Sequence, residues 1–197
     1  QLVVSKGGFR EAISNALGTP APEQVELTYD EDCLYLNVFT PTTASDAKLP
    51  VLFWVHGGAH RFGTSTNMPG EELASRGVVL VSINYRLGPL GFMSHPELTA
   101  EGCRGNQGLL DTVSALQWVN RNITTFGGDP ANVTVFGESA GGHSTCAMFT
   151  SPLTKGLMHR AIAQSGVGAH ATQLLDRAGA VPISAHNTGE MLGEVLG

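Results

Sequence analysis

The stretch most able to do chemistry is Gly137-Glu138-Ser139-Ala140-Gly141-Gly142, a serine bracketed by glycines. A serine hydroxyl becomes a nucleophile when a base removes its proton and amide donors meet the oxyanion that its attack creates. The G-x-S-x-G spacing suits that use, because glycines on either side let a strand and a helix approach closely around a sharply turned serine. A second stretch, His56-Gly57-Gly58-Ala59-His60, directly follows an apolar run. Small residues at such a place let backbone amides face open space, as stabilising an oxyanion requires. In a chain with 25 glycines each stretch alone also reads as an ordinary Gly-rich turn, so the surrounding elements must decide.

Val133-Thr134-Val135-Phe136 alternates β-branched and aromatic residues, and His143 to Phe149 contains no Gly or Pro, which places Ser139 between a strand and a helix. In Glu31 to Pro41, Leu34, Leu36 and Val38 share one face, while Tyr35, Asn37 and Phe39 share the other, so a strand is expected, stopped by Pro41. Val51-Leu52-Phe53-Trp54-Val55 and Val78-Val79-Leu80-Val81-Ser82-Ile83 read as strands covered on both faces. Between them, Pro69 to Arg76 predicts a short helix with Glu71 and Glu72 at its positive end, closed by Gly77. A longer helix from Asn106 places Leu109, Val113, Leu116 and Ile123 on one stripe, widened by Leu110 and Val119, and Phe126-Gly127-Gly128-Asp129-Pro130 ends it. Ala161 to Gly166 resembles a further strand, and Met191, Leu192, Val195 and Leu196 recur as on an amphipathic helix. The first 26 residues carry little pattern beyond a Thr19-Pro20-Ala21-Pro22 loop. Strands alternating with helices imply an α/β fold, a central mostly parallel sheet flanked by helices, with reactive loops beyond the carboxyl ends of the strands. Both Gly-rich stretches lie at such ends.

Length, 42% hydrophobic residues and mixed charge are those of a globular chain, expected as one domain over residues 1–197. With a net charge of −6 and 11 scattered Lys and Arg, the chain has no surface for nucleic acid. No apolar run approaches the roughly 20 residues of a membrane span, and Gln1 to Arg10 lack the order of a secretory leader. The histidines show no metal-ligand spacing, and Cys33, Cys103 and Cys146 form no C-x-x-C pair, so neither metal nor cofactor is expected. Cys146 reads as a small buried residue. Asn122-Ile123-Thr124 and Asn132-Val133-Thr134 match the glycosylation pattern, although the second leads into a buried strand.

Glu31 to Pro41, Gly57-Gly58-Ala59, Asn84-Tyr85-Arg86-Leu87-Gly88-Pro89-Leu90-Gly91-Phe92, and Phe126 through Gly142 together resemble the type-B carboxylesterase family, which includes cholinesterases and some lipases. The likeness continues through Ser151 to Leu157 and Arg160 to Gly166 and is weakest in the first twenty-odd residues, where no cysteine precedes Cys33 to supply its family partner. The resemblance implies an α/β-hydrolase fold, incomplete in this chain, and hydrolysis of a small-molecule or lipid ester through an acyl-enzyme on Ser139. It implies oxyanion donors at Gly58, Ala59 and Ala140, with Ala59 in place of a glycine found in many members, and a position close to the triad for Glu138. His60 stands where many relatives carry an aromatic or aliphatic residue; it either lines the acyl pocket or packs beside the loop. The resemblance also tilts toward a secreted or endoplasmic-reticulum-lumenal setting.

On this fold the triad runs serine, acid, histidine along the chain. The resemblance puts both partners well beyond the N-terminal portion that this sequence matches, and none of His143, His159, His170, His186 or Asp176 fits the role. The chain alone is therefore expected to turn over esters poorly, and a second chain carrying the acid and the histidine would complete it. Two alternatives stand beside the esterase reading: a non-enzymatic binding or adhesion domain of the same fold, and an inactive truncated product.

Overall fold

The computed structural model describes residues 30–166, 177–178 and 183–196, and those from Asp32 onward belong to one compact unit. The Thr19–Pro22 loop, His170 and Asp176 lie outside the described residues. Five strands form one sheet: β1 (Leu36–Phe39), β2 (Leu49–Val55), β3 (Val79–Ile83), β4 (Gly128–Glu138) and β5 (Arg160–Gln164), in the order β1-β3-β2-β4-β5. β1 runs antiparallel to β3, and every other pairing is parallel. The helices are α1 (Gly70–Ala74), α2 (Gly88–Phe92), α3 (Pro96–Ala100), α4 (Gln107–Asn122), α5 (Ala140–Thr150) and α6 (Ala185–Leu196).

Strand pairing sets two faces. On one face, Val51, Phe53 and Val55 of β2, Val79, Val81 and Ile83 of β3, and Val133 and Val135 of β4 form a closed core with Leu116, Val119 and Ile123 from α4 and its end and Met148 from α5. On the other face α1 packs on β1 and β3 so tightly that a side chain at Gly70 would collide with the Phe39 ring. β3 is buried along its whole length, as its apolar run predicts. β2 is not: Leu52 and Trp54 are half-buried, and Trp54 packs at 4.8 Å against Phe136 of β4. The physical reason is that α4 and α5 cover only the first face.

The stripe predicted for α4 holds at Val113, Leu116, Val119 and Ile123 but fails at Leu110, which is 48% exposed. At about 100° per residue Leu110 lies at the edge of the stripe, about 60° from Val113 and about 120° or more from Leu116, Val119 and Ile123. Thr112 takes the stripe position instead, fully buried, with its hydroxyl donating to Leu109 O at 2.7 Å. That local bond satisfies the threonine hydroxyl placed in the core. The side-chain amide of Asn122 closes the same helix by donating to Trp118 O at 2.8 Å.

α6 also differs from its pattern. Met191 and Val195 are exposed, while the helix touches the rest of the unit through small and polar residues. Gly189 lies so close to Ser94 that a Cβ would sit 1.9 Å from its carbonyl oxygen, and His186 Nε2 is 2.9 Å from Thr99 Oγ1. Cys146 is half-buried rather than buried. A bidentate ion pair ties the exit of β3 to α4: Asp111 accepts from Arg86 N at 3.0 Å, Nε at 2.8 Å and Nη2 at 2.8 Å.

Candidate functional site

Ser139 is the hinge between β4 and α5. Its backbone sits at φ 54°, ψ −120°, a conformation that side-chain-bearing residues rarely adopt; strain of this kind costs on the order of 1–3 kcal/mol and survives only where the surroundings impose it. Here they do. Ser139 N donates to Gln164 O of β5 at 2.8 Å, and Ser139 O accepts from His143 N at 3.0 Å, the first turn of α5. The flanking glycines have no room for a side chain: a Cβ at Gly137 would lie 2.4 Å from the Gly141 carbonyl, and one at Gly141 would lie 2.0 Å from Val55 O. The turn is sharp because three backbones meet there.

The Gly57-Gly58 loop leaves β2 on the same side of the sheet. Val55 pairs with Gly137, so the two strands end at the same level and their exits are neighbours. A Cβ at Gly57 would lie 2.8 Å from Glu138 O, 2.9 Å from Glu138 Oε2 and 3.3 Å from Ser139 Cβ. Gly58, Ala59 and His60 then adopt φ of 106°, 53° and 57°, three successive left-handed residues. Gly58 O closes this bend by accepting from Arg61 N at 2.9 Å and Phe62 N at 3.2 Å. Such a turn exposes consecutive N–H groups, and the first turn of α5, beginning at the buried Ala140, adds more that have no acceptor within the helix. Gly57, at the root of this bend, is thus brought against Ser139, and Ala140 follows Ser139 directly in the chain.

Histidines hold the loop from below. His56 is buried, stacked on Tyr85 at 4.4 Å, and its Nδ1 donates to Gly57 O at 2.8 Å. Tyr85 donates its hydroxyl to His56 O at 2.8 Å, and burial raises its pKa far above the usual phenol range. Burial lowers the pKa of His56 below 6.5, outweighing the opposing bond to Gly57, with His60 adding a further lowering. His60 is also lowered, chiefly by burial, against the Ala140 carbonyl and with His143 adding to the lowering. Both imidazoles are therefore neutral at pH 7. The ring of His60 packs against Phe92 at 4.6 Å, and its Nε2 meets Ser144 Oγ at 3.0 Å. These contacts place His60 beside the loop, between α2 and α5.

The other sequence candidates are not gathered here. His159 is exposed and bonded to Val133 through both its ring and its backbone, and His186 is engaged with Thr99. His143 occupies the first turn of α5, and no described histidine is hydrogen-bonded to the Ser139 hydroxyl. Glu138 is exposed beside Gly57. Sequence reasoning missed Ser144, which is fully buried and bonded to His60. Its signal was there: Ser144 stands four residues after Ala140, on the same helical face.

Residues 10–185 match the model of the carboxylesterase family. Over 165 residues the chain is 47% identical to carboxylesterase 1F of Mus musculus, covering 83% of this chain and 29% of the relative. It is 51% identical over 156 residues to a medium-chain fatty acyl-CoA hydrolase precursor of Anas platyrhynchos, covering 78% of this chain and 27% of that protein. The chain thus spans less than a third of these curated relatives. Among solved structures, a thermophilic PNB esterase superposes with a TM-score of 0.73 at 46% identity, over 85% of this chain and 33% of that one. The juvenile hormone esterase of Manduca sexta, with OTFP covalently attached, gives 0.74 at 35% identity over 85% of this chain and 31% of its own. The fold is that of the α/β-hydrolases, and the chain belongs to the carboxylesterase family.

Proposed function

We propose that this chain carries the nucleophile and oxyanion hole of a serine carboxylic ester hydrolase. The observation that carries the reading is Ser139 held at φ 54° between β4 and α5, with the Gly57 loop against it. In this mechanism a histidine takes the proton from Ser139 Oγ as the oxygen attacks the ester carbonyl. The carbonyl oxygen becomes an oxyanion facing the amides of Gly58, Ala59 and Ala140. Collapse expels the alcohol and leaves an acyl group on Ser139, which water then hydrolyses to release the acid. Ala59 serves as well as glycine at its position, because its N–H and not its side chain is the donor. Glu138, adjacent to the nucleophile, tunes the charge around it.

The histidine and the acid come, on this proposal, from residues other than these 197, on the same polypeptide or on a second chain. A serine lacking its base is a weak nucleophile, although an oxyanion hole alone retains some catalysis over water. The 197-residue chain should therefore hydrolyse a short p-nitrophenyl ester only slowly, and in excess fluorophosphonate it should be labelled at Ser139 slowly as well. Ser139→Ala should abolish the labelling. Labelling that persists in Ser139→Ala would overturn the assignment, and fast ester turnover that is lost in that variant would show the chain to be self-sufficient.

A further inference from the structure

His60 stands one residue after Ala59 and directly against the turn that carries Ala140. Its Nε2 is 3.0 Å from Oγ of Ser144, which is fully buried four residues beyond Ala140 on α5, and the Ala140 carbonyl also acts on the ring. The tautomer of the ring sets which of Nε2 and Ser144 Oγ donates, and in either case the pair is bonded. On the opposite side, His60 O accepts from Gly88 N at 2.7 Å, and Phe92 of α2 lies against the ring at 4.6 Å. His60 is consequently fixed to two elements besides its own loop.

We infer that His60 is a positioning residue that locks the Ala59 amide to the Ala140 amide, joining the two halves of the oxyanion hole through its Nε2–Ser144 hydrogen bond. The need for such a lock is visible in the loop. Ala59 and His60 both carry side chains at φ above 50°, where L-residues are disfavoured, so the bend relaxes unless something outside it holds it. Among the described residues, Gly58 O is bonded within the bend, to Arg61 and Phe62. The side-chain tie to the nucleophile helix runs through His60. An aromatic or aliphatic residue at this position could fill the space beside Phe92 but could not hydrogen-bond to Ser144.

The inference rests on the proposed role of Ser139, and its test separates the two. In the 197-residue chain, His60→Ala, His60→Phe, His60→Gln and Ser144→Ala are compared with wild type after circular dichroism has shown each to melt cooperatively. Amide chemical shifts are read for Ala59 and Ala140, and the second-order rate of Ser139 labelling by a fluorophosphonate is read in parallel. His60→Ala and His60→Phe should move both amide signals together and slow labelling by about tenfold, the size of one net hydrogen bond. Ser144→Ala should do the same. His60→Gln, whose amide nitrogen reaches the place of Nε2, should restore both signals and most of the rate. Unmoved Ala140 signals in His60→Ala, or equal rates in the Phe and Gln variants, would overturn the lock. Absence of even slow labelling of wild type in excess reagent, relative to Ser139→Ala, would sink the nucleophile assignment while leaving the amide signals to judge the lock.

Discussion

Gly141→Ala adds a single methyl group where α5 crosses the end of β2. That methyl would stand 2.0 Å from Val55 O and 2.8 Å from His56 O, whereas real Cβ contacts stay above 3.0 Å, so at least about 1 Å of movement is required. Val55 cannot supply it, because it is paired on both sides, with Ile83 of β3 and Gly137 of β4. The movement falls on α5 and on Ser139 at its start. Overpacking typically costs 1–3 kcal/mol, and a collision between two backbones belongs at the top of that range, so a loss of about 3 kcal/mol is expected. A shift of about 1 Å in a reacting group lowers its rate by about a hundredfold. Urea unfolding followed by the fluorescence of Trp54 and Trp118 measures the first, and fluorophosphonate labelling of Ser139 measures the second. Gly193→Ala is the matched control, since nothing lies within 4 Å of a Cβ there, and in mid-helix the change should stabilise by about 0.5–1 kcal/mol. A Gly141→Ala chain with wild-type stability and labelling rate would refute the close approach and, with it, the account of how Ser139 is held.

Three further outcomes follow from the same geometry. Ser139→Gly should raise stability by about 1–2 kcal/mol by releasing the strain at φ 54°, whereas Ser139→Ala should abolish labelling without that gain; equal stabilities in a urea titration would show the strain to be absent. Asp111→Ala removes the acceptor of three bonds from Arg86, leaving a backbone N–H without its partner, and should cost about 2–3 kcal/mol in denaturant unfolding. His56 and His60 both titrate below 6.5 when folded, so in acid the unfolded chain binds protons first. Their contribution is therefore constant above pH 6.5, is lost as the pH falls through 6.5, and levels off below the folded values; a urea midpoint that rises on acidification would contradict this, and His60→Gln should flatten the slope.

The parts of the fold most legible in the sequence were those where one physical requirement acts alone. β3 must be apolar because it is buried throughout, and the Gly-x-Ser-x-Gly run must be glycine-rich because Gly137 and Gly141 touch backbone. Where two requirements compete, the pattern misleads. Leu110 counted as part of a stripe by spacing alone, yet Thr112 was the residue inside, since a threonine that bonds its own helix is an acceptable core residue. On α6 the apolar positions suggested a buried face, but close approach at Gly189 decided which side packs. Both Gly-rich stretches were visible as candidates, whereas the tie from His60 to Ser144 spans 84 positions and joins residues whose types are unremarkable separately.

The two sets of candidate donors are held with unequal stiffness. Ala140 follows β4, whose register with β2 is set by buried Val133 and Val135 opposite Val51 and Phe53. Displacing it means slipping a fully buried ladder, which would turn apolar side chains to the wrong face. Ala59 lies four residues beyond the end of β2, in a bend of left-handed residues that the sheet does not reach. Its place depends on short bonds from Gly58, on Gly88 N meeting His60 O, and on His60 meeting Ser144. Substitutions in the core should therefore alter stability and leave the relative placement of the amides intact until the sheet unfolds. Substitutions in the bend should do the reverse, altering the labelling rate of Ser139 at nearly constant stability. A core change such as Val135→Ala, expected to cost about 1–3 kcal/mol with the labelling rate of the folded chain unchanged, tests that division; a loss of rate in proportion to stability would mean that loop and sheet move as one.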